Sequence, residues 1–334
     1  MNVLKKIIII LFLLNINNFH ASAAEMNFAV SAIIPTNQTD QNKTYFDLRM
    51  KPGQKQTLKV QIRNDTDQNI IVESTANSAI TNSSGIADYS VSNPEIDDTL
   101  EIPFAKIAKV KKETKIPAKS KVTVEITIEM PKQQFDGVIL GGLHFREKEN
   151  EGQVKNKNES VQINNKYAYV IGVVLRETDK VIKPDLKIND VMPTQVNARN
   201  VVSANIQNIK PAMLKNLSVD AKVFTEKGKK VLYDSKKDHL RMAPNSNFDY
   251  AISWDNQAFK TGTYRLEMKA TDGDQTWEWT RTFSIKDHTA KKFNTSAVEI
   301  QKDYSTWYIV GSILLILLLI LIVFYLFRRS KKDI

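Results

Sequence analysis

The chain has 334 residues, 42% hydrophobic and 25% charged, with a formal net charge of +10, four histidines and no cysteine. That length carries about two domains with cores of their own, and the composition excludes wholesale disorder. Without cysteine there are no disulfides, thiolate metal sites or thiol nucleophiles, and so few histidines leave little for metal or acid–base chemistry.

Lys5 and Lys6 precede an apolar run over residues 7–14, and Ala21, Ser22, Ala23 and Ala24 follow it. A basic start, a short apolar stretch and small residues before a cut predict a secretory signal peptide over 1–24. The first folded unit is expected over 25–178. It opens with a polar, extended stretch at 35–44, after which Tyr45, Phe46, Asp47, Leu48 and Arg49 run into Pro52 and Gly53. Proline and glycine end a segment as an edge strand ends, so Tyr45–Arg49 is the candidate edge for a partner's strand. Leu58, Val60 and Ile62 alternate with polar residues, a turn follows at 64–67, and Ile70 and Val72 resume the alternation. Residues 122–130 form a nine-residue period-two strand with one buried face. Two neighbouring strands are predicted at 138–145 and 167–175, joined by a polar segment. Gly141, Gly142 and Gly172 within them signal bulges or close backbone approach.

The second unit is expected over 179–286, with seven apolar strands beginning near Leu186, Val201, Leu217, Lys230, Phe248, Tyr264 and Trp277. That number and spacing suit an immunoglobulin-like sandwich without its disulfide. Trp277 and Trp279, two apart on a strand, share one face. They are either core residues or an aromatic platform for sugar rings or a partner. Residues 287–306 read as a polar stalk. Residues 307–327 carry no charge and are long enough to cross a bilayer as a helix. Trp307 and Tyr308 sit where interfacial aromatics would, and Arg328, Arg329, Lys331 and Lys332 in the tail 328–334 keep that end cytoplasmic. The expected fold class is therefore all-β: two tandem immunoglobulin-like β-sandwiches plus one C-terminal transmembrane helix.

No nucleophile motif, catalytic carboxylate pair, cofactor loop or metal-ligand spacing stands out, so no catalytic, cofactor or metal site is expected and the chain is not read as an enzyme. Asp97, Asp98, Asp136, Asp272 and Asp274 suit turn chemistry better than Ca²⁺ binding. Residues 25–178 hold 20 charges of each sign, whereas 179–306 hold 21 cations against 16 anions, so the excess lies close to the predicted anchor. A bias of that size suits anionic wall polymers or lipid headgroups, or an ordinary solvated surface.

Several stretches together resemble the WxL-interacting protein family of Gram-positive surfaces. They are Phe28-Ala-Val-Ser-Ala-Ile-Ile-Pro-Thr-Asn37-Gln, Tyr45-Phe-Asp-Leu with Lys51-Pro-Gly-Gln-Lys-Gln-Thr-Leu58, and Asn82-Ser-Ser-Gly-Ile-Ala-Asp-Tyr89. Met130-Pro-Lys-Gln-Gln-Phe-Asp-Gly-Val-Ile-Leu-Gly-Gly142, Tyr167-Ala-Tyr-Val-Ile-Gly-Val173, Gly262-Thr-Tyr264 and the Trp277–Phe283 ending extend the likeness, as do the anchor and its basic tail. The resemblance implies a peptidoglycan-binding first domain, a host-binding second domain, and secreted partners bearing a Trp-x-Leu motif. It also places the boundary between about 147 and 158, whereas the strand pattern lets 166–177 complete the first sandwich. No tryptophan here has leucine two residues on, which places the chain on the receptor side of that pairing. The expected function is a non-enzymatic, single-pass adaptor with both domains extracellular on a Gram-positive cell membrane. It would hold secreted WxL-domain proteins and peptidoglycan and touch host extracellular matrix, with no nucleic-acid partner. The alternative is an extracytoplasmic chaperone or assembly factor for secreted β-rich surface proteins.

Overall fold

In the computed structural model, residues 27–148, 167–300 and 305–330 are described. Alternation dictates the first sandwich. In β3 (Lys55–Asn64) and β9 (Lys121–Glu129), Leu58, Val60, Ile62, Val124, Ile126 and Ile128 point inward while the intervening polar residues face out. These strands pair antiparallel, with Val60 opposite Val124, and β1 (Phe28–Ile33) and β7 (Ala108–Val110) flank them in the order β1-β3-β9-β7. The facing sheet runs β2 (Phe46–Arg49), β11 (Ala168–Arg176), β10 (Ile139–Glu147), β4 (Ile70–Ser78) and β8 (Glu113–Ile116). Phe46, Leu48, Leu143, Phe145 and Val173 from this sheet meet the first across one core. β11 thus lies between β2 and β10, and residues 177–185 lead from it into the second unit.

Gly141 and Gly142 are close approaches rather than bulges, because β10 keeps its register with both neighbours through them. A Cβ at Gly141 would sit 2.0 Å from the ring of Phe104, which the short helix α1 (Phe104–Ile107) pushes against the sheet. A Cβ at Gly142 would sit 2.5 Å from Cβ of Tyr89, on the opposite face. Tyr89 follows a small hairpin of β5 (Ile80–Thr81) and β6 (Ala87–Asp88).

The second sandwich packs β12 (Leu186–Val196), β13 (Arg199–Asn208) and β16 (Ser246–Ser253) against β15 (Val231–Met242), β14 (Leu214–Thr225), β17 (Gly262–Thr271) and β18 (Thr276–Ile285). Its centre is Trp254, 1% exposed, stacked on Tyr233 and met edge-on by Phe259 and Tyr264.

The segment expected to be a stalk is structured in its first half. Helix α2 (Asp287–Ser296) folds back onto the end of the sandwich, burying Ala290 and setting Phe293 edge-on to Phe259 at 6.1 Å. Asn294 fixes it, donating to the Phe259 carbonyl and accepting from the Phe259 amide and Asn200 Nδ2 at 2.8–3.0 Å. A polar composition suggested a tether, but three apolar or amide side chains at helical spacing suffice to dock it. Helix α3 (Ser305–Ser330) has 26 residues, and its side chains are described over 309–322, all of them exposed. That described stretch rises only about 21 Å at 1.5 Å per residue, so among the described residues no helix is long and apolar enough to cross a membrane. The predicted signal peptide and the tail residues Lys331 and Lys332 lie outside the described residues.

Candidate functional site

The expected partner edge, Tyr45–Arg49, is the outermost strand of its sheet, but its free side is already occupied. Gln38 Nε2 donates to the Tyr45 carbonyl at 2.6 Å, Gln38 Oε1 accepts from the Asp47 amide at 3.0 Å, and the Thr39 amide donates to the Asp47 carbonyl at 2.8 Å. Phe46, Asp47 and Leu48 are buried; Asp47 accepts from Lys43 at 2.6 Å and lies 2.8 Å from Arg176 Nη2. That hydrogen bond to Asp47 holds the Lys43 ammonium above its ordinary pKa. Only Tyr45 and Arg49 keep substantial exposure, and Arg49 pairs with Asp179. With these backbone groups paired, the edge offers an incoming strand little. A backward loop over nine residues is what closes it, and no local pattern announces that.

What β2 leaves open is part of the sheet beside it. It pairs only Val173–Arg176 of β11, whereas β10 pairs Ala168–Leu175 on the other side. Alternation puts Val170, Gly172 and Val174 of β11 and Leu140, Gly142 and His144 of β10 on the outward face. Leu140 and Val174 are covered by Ala243 and Met213 of the second sandwich. Beyond that cover, Gly142 and Gly172 face each other across the strands, with Tyr89 packed on the first and Tyr45 beside the second. His144 and Val170 form the next cross-strand pair, and Val170 is 42% exposed. The result is a shelf: a sheet face lowered by two glycines and flanked by two phenol rings and an imidazole. Burial raises the Tyr89 phenol pKa and the nearby Tyr45 adds to it, so the Tyr89 ring stays a neutral hydrogen-bonding group. Burial, with help from Arg146, lowers His144, which leaves a neutral imidazole with one donor and one acceptor at neutral pH.

A second concavity, of about 440 Å³, lies where the two sandwiches meet. At its floor Asp97 accepts from Gln207 Nε2 at 3.0 Å and Asn247 Nδ2 at 2.6 Å across the junction, and from its own neighbour Thr99. Burial pushes Asp97 up, but these donors outweigh it and hold the carboxyl below its ordinary value. Thr81 Oγ1 meets Ser246 Oγ at 2.6 Å, the Val138 amide donates to the Pro211 carbonyl at 2.8 Å, and Gly137 (φ +99) packs so closely that a Cβ would lie 2.4 Å from that carbonyl oxygen. The cleft is walled by amides and carboxylates with no ring among its lining residues, so its contacts serve the coupling of the two sandwiches. Among the described residues no group of three or more metal-ligand side chains converges.

Trp277 and Trp279 point inward, opposite Ala270 and Met268, and pack half-buried against the second core. Trp277 Nε1 donates to Asp185 at 3.3 Å. They thus pack against the core while keeping part of each ring exposed. The Asp272 carboxylate caps the amides of Asp274 and Gln275 in the last hairpin, and Asp136 accepts from Lys180 and Thr178, which lower its pKa; both are turn or ion-pair roles. Trp307, Tyr308, Arg328 and Arg329 lie within α3, outside the stretch whose side chains are described. Sequence spacing does not reveal the shelf, because Tyr89 comes from a hairpin more than 50 residues before Gly142. The paired glycines and the edge position of Tyr45 are its signals along the chain.

Two family models match the chain. The "WxL Interacting Protein, peptidoglycan binding domain" covers residues 28–147, and the "WxL Interacting Protein, host binding domain" covers 158–295. β11 falls in the second range although it completes the first sandwich. No curated protein matches. Among solved structures, the YadV chaperone is 12% identical over 77% of this chain and 100% of its own, with a TM-score of 0.30. A CsuC–CsuE chaperone–tip adhesion subunit complex of Acinetobacter baumannii is 12% identical over 76% and 98%, with a TM-score of 0.33. A family 123 glycoside hydrolase from Clostridium perfringens is 9% identical over 46% of this chain and 28% of its own, at 0.30. Likenesses at that level carry no argument here.

Proposed function

Because the chain belongs to the WxL-interacting protein family, we propose that it is a non-enzymatic surface adaptor, anchored by α3, that retains secreted Trp-x-Leu proteins and binds peptidoglycan and a host surface. The observation that carries this reading is the tandem of the family's two domains on one chain, joined by a buried polar junction around Asp97. A junction of that kind keeps a wall contact on one sandwich and a partner on the other in register. Anchoring is supported by the 21 uncharged residues 307–327 within a 26-residue helix, whose full length of about 39 Å exceeds the roughly 30 Å of a bilayer's hydrocarbon core.

The shelf is the proposed glycan surface of the first sandwich. Sugar rings present apolar faces edged with hydroxyls, and an exposed tyrosine beside a flat glycine floor offers stacking, with phenol and imidazole groups for the hydroxyls. Full-length chain in neutral nanodiscs should co-sediment with purified peptidoglycan, and Y45A/H144A should weaken it about tenfold, worth roughly 1.4 kcal/mol, at an unchanged melting temperature. Equal binding by the double variant would remove the shelf from the reading.

A further inference from the structure

The cations that unbalance the second unit are gathered at one end of it. The β12–β13 turn, the β14–β15 turn, the β16–β17 loop and α2 close the same end of the sandwich. The Arg265 guanidinium ties the Glu226 and Gly228 carbonyls to β17, the Trp254 amide donates to Asn200, and the Val298 amide donates to Ala198. With the flanking residues Arg199, Lys286 and Glu299, these segments carry eight cations and four anions, a net of +4 against the +5 of all residues 179–306. Lys291 pairs with Asp287 and Arg199 with Glu299. Lys227, Lys229, Lys230, Lys260, Lys286 and Lys292 are exposed and take part in no ion pair among the described residues. On the sheet faces of this sandwich Lys222 pairs with Asp220 and Lys269 with Glu278.

This is also the end from which the chain leaves for α3. Helix α2 is docked against it, and from Ile300 to Ser305 there are five residue steps, at most about 18 Å even fully extended. We propose that this lysine-rich end is a docking surface for the anionic phospholipid headgroups of the bilayer around its own anchor, holding the second sandwich upright on the membrane. The proposal rests on the anchoring proposed above. Lysine suits such a surface, because its flexible stem carries a point charge to phosphates that have no fixed positions. The tether makes contact intramolecular, so weak individual attractions add up.

Because the chain has no cysteine, V196C puts a single fluorophore on an exposed position at this end. The full chain would be placed in nanodiscs of phosphatidylcholine, with or without about one-third phosphatidylglycerol, carrying a headgroup quencher. Quenching is expected in the anionic discs alone, with release at about 1 M salt, where the Debye length falls to about 3 Å. K227Q/K229Q/K230Q should lower the docking equilibrium about 100-fold, near fivefold per lysine. Equal quenching in neutral and anionic discs, or an unchanged variant, overturns the proposal. So does soluble polyglycerol phosphate binding the chain in neutral discs as tightly as the anionic discs hold it, since the lysines would then read a polymer. A chain that fails to enter neutral discs refutes the anchoring instead. Docking is then read from flotation of the full chain with anionic liposomes, where unchanged flotation of the triple variant overturns it.

Discussion

The two sandwiches share an architecture and differ in where they leave surface unspent. The first exposes a sheet face: two opposed glycines lower the floor between β10 and β11, and Tyr45, Tyr89 and His144 border it. The second pairs several of its sheet-face charges, packs its tryptophans against the core, and leaves a cluster of lysines at one loop end. A glycine-lowered, aromatic-edged face suits a flat, largely neutral ligand, and a crown of mobile cations suits a surface of phosphates. The same scaffold thus offers two chemistries by what it withholds from its own packing.

The sharpest way to break the comparison is to empty one core and ask whether the other survives. Trp254→Ala removes the stacked centre of the second sandwich and should cost it about 3–5 kcal/mol. By calorimetry the second sandwich should then melt first, while Leu58, Val60 and their neighbours keep the first intact; simultaneous loss of both would show one cooperative unit. A smaller change tests the junction. Asp97→Ala strands the Gln207 and Asn247 amides and should weaken the coupling by about 1–3 kcal/mol, resolving one melting transition into two. Because the folded value of Asp97 lies below its unfolded one, its contribution is fully present above the unfolded value and is lost as pH falls through the folded value. The wild-type transition should therefore split in acid, below about pH 4, and the variant should show no such dependence. The smallest effect concerns the helix at the lysine-rich end. Asn294→Ala removes three hydrogen bonds to Phe259 and Asn200 and should raise hydrogen exchange across α2 by about tenfold, near 1.4 kcal/mol, leaving the sandwich strands protected.

Much of the fold was legible because period-two burial is a local property. The alternation from Lys121 to Glu129 and the seven strands of the second unit required nothing beyond their own residues. What escaped depended on partners distant in sequence. Gln38 seals the β2 edge with its side chain, a bond no spacing rule anticipates. The first strand, Phe28–Ile33, has only a half-regular pattern: β3 is its one sheet neighbour, and Phe28 packs edge-on against Tyr169 of β11. Helix α2 has neither a capping side chain nor a strong apolar stripe, and holds through Asn294 instead. Of the candidate site, Tyr45 was legible as an exposed residue on an edge and the glycines as a close approach. Tyr89 reaches the shelf only through the folded hairpin.

The adaptor role is tested most directly by comparing bacteria that make the full chain with otherwise identical bacteria that lack it. Membranes would be washed free of loosely held protein and the retained secreted proteins identified by mass spectrometry. The account predicts that a secreted protein with a Trp-x-Leu motif stays with the membrane only when the chain is present, and co-purifies with it after detergent extraction. Retention in its absence, or a client that is bound during secretion and then released, would contradict it.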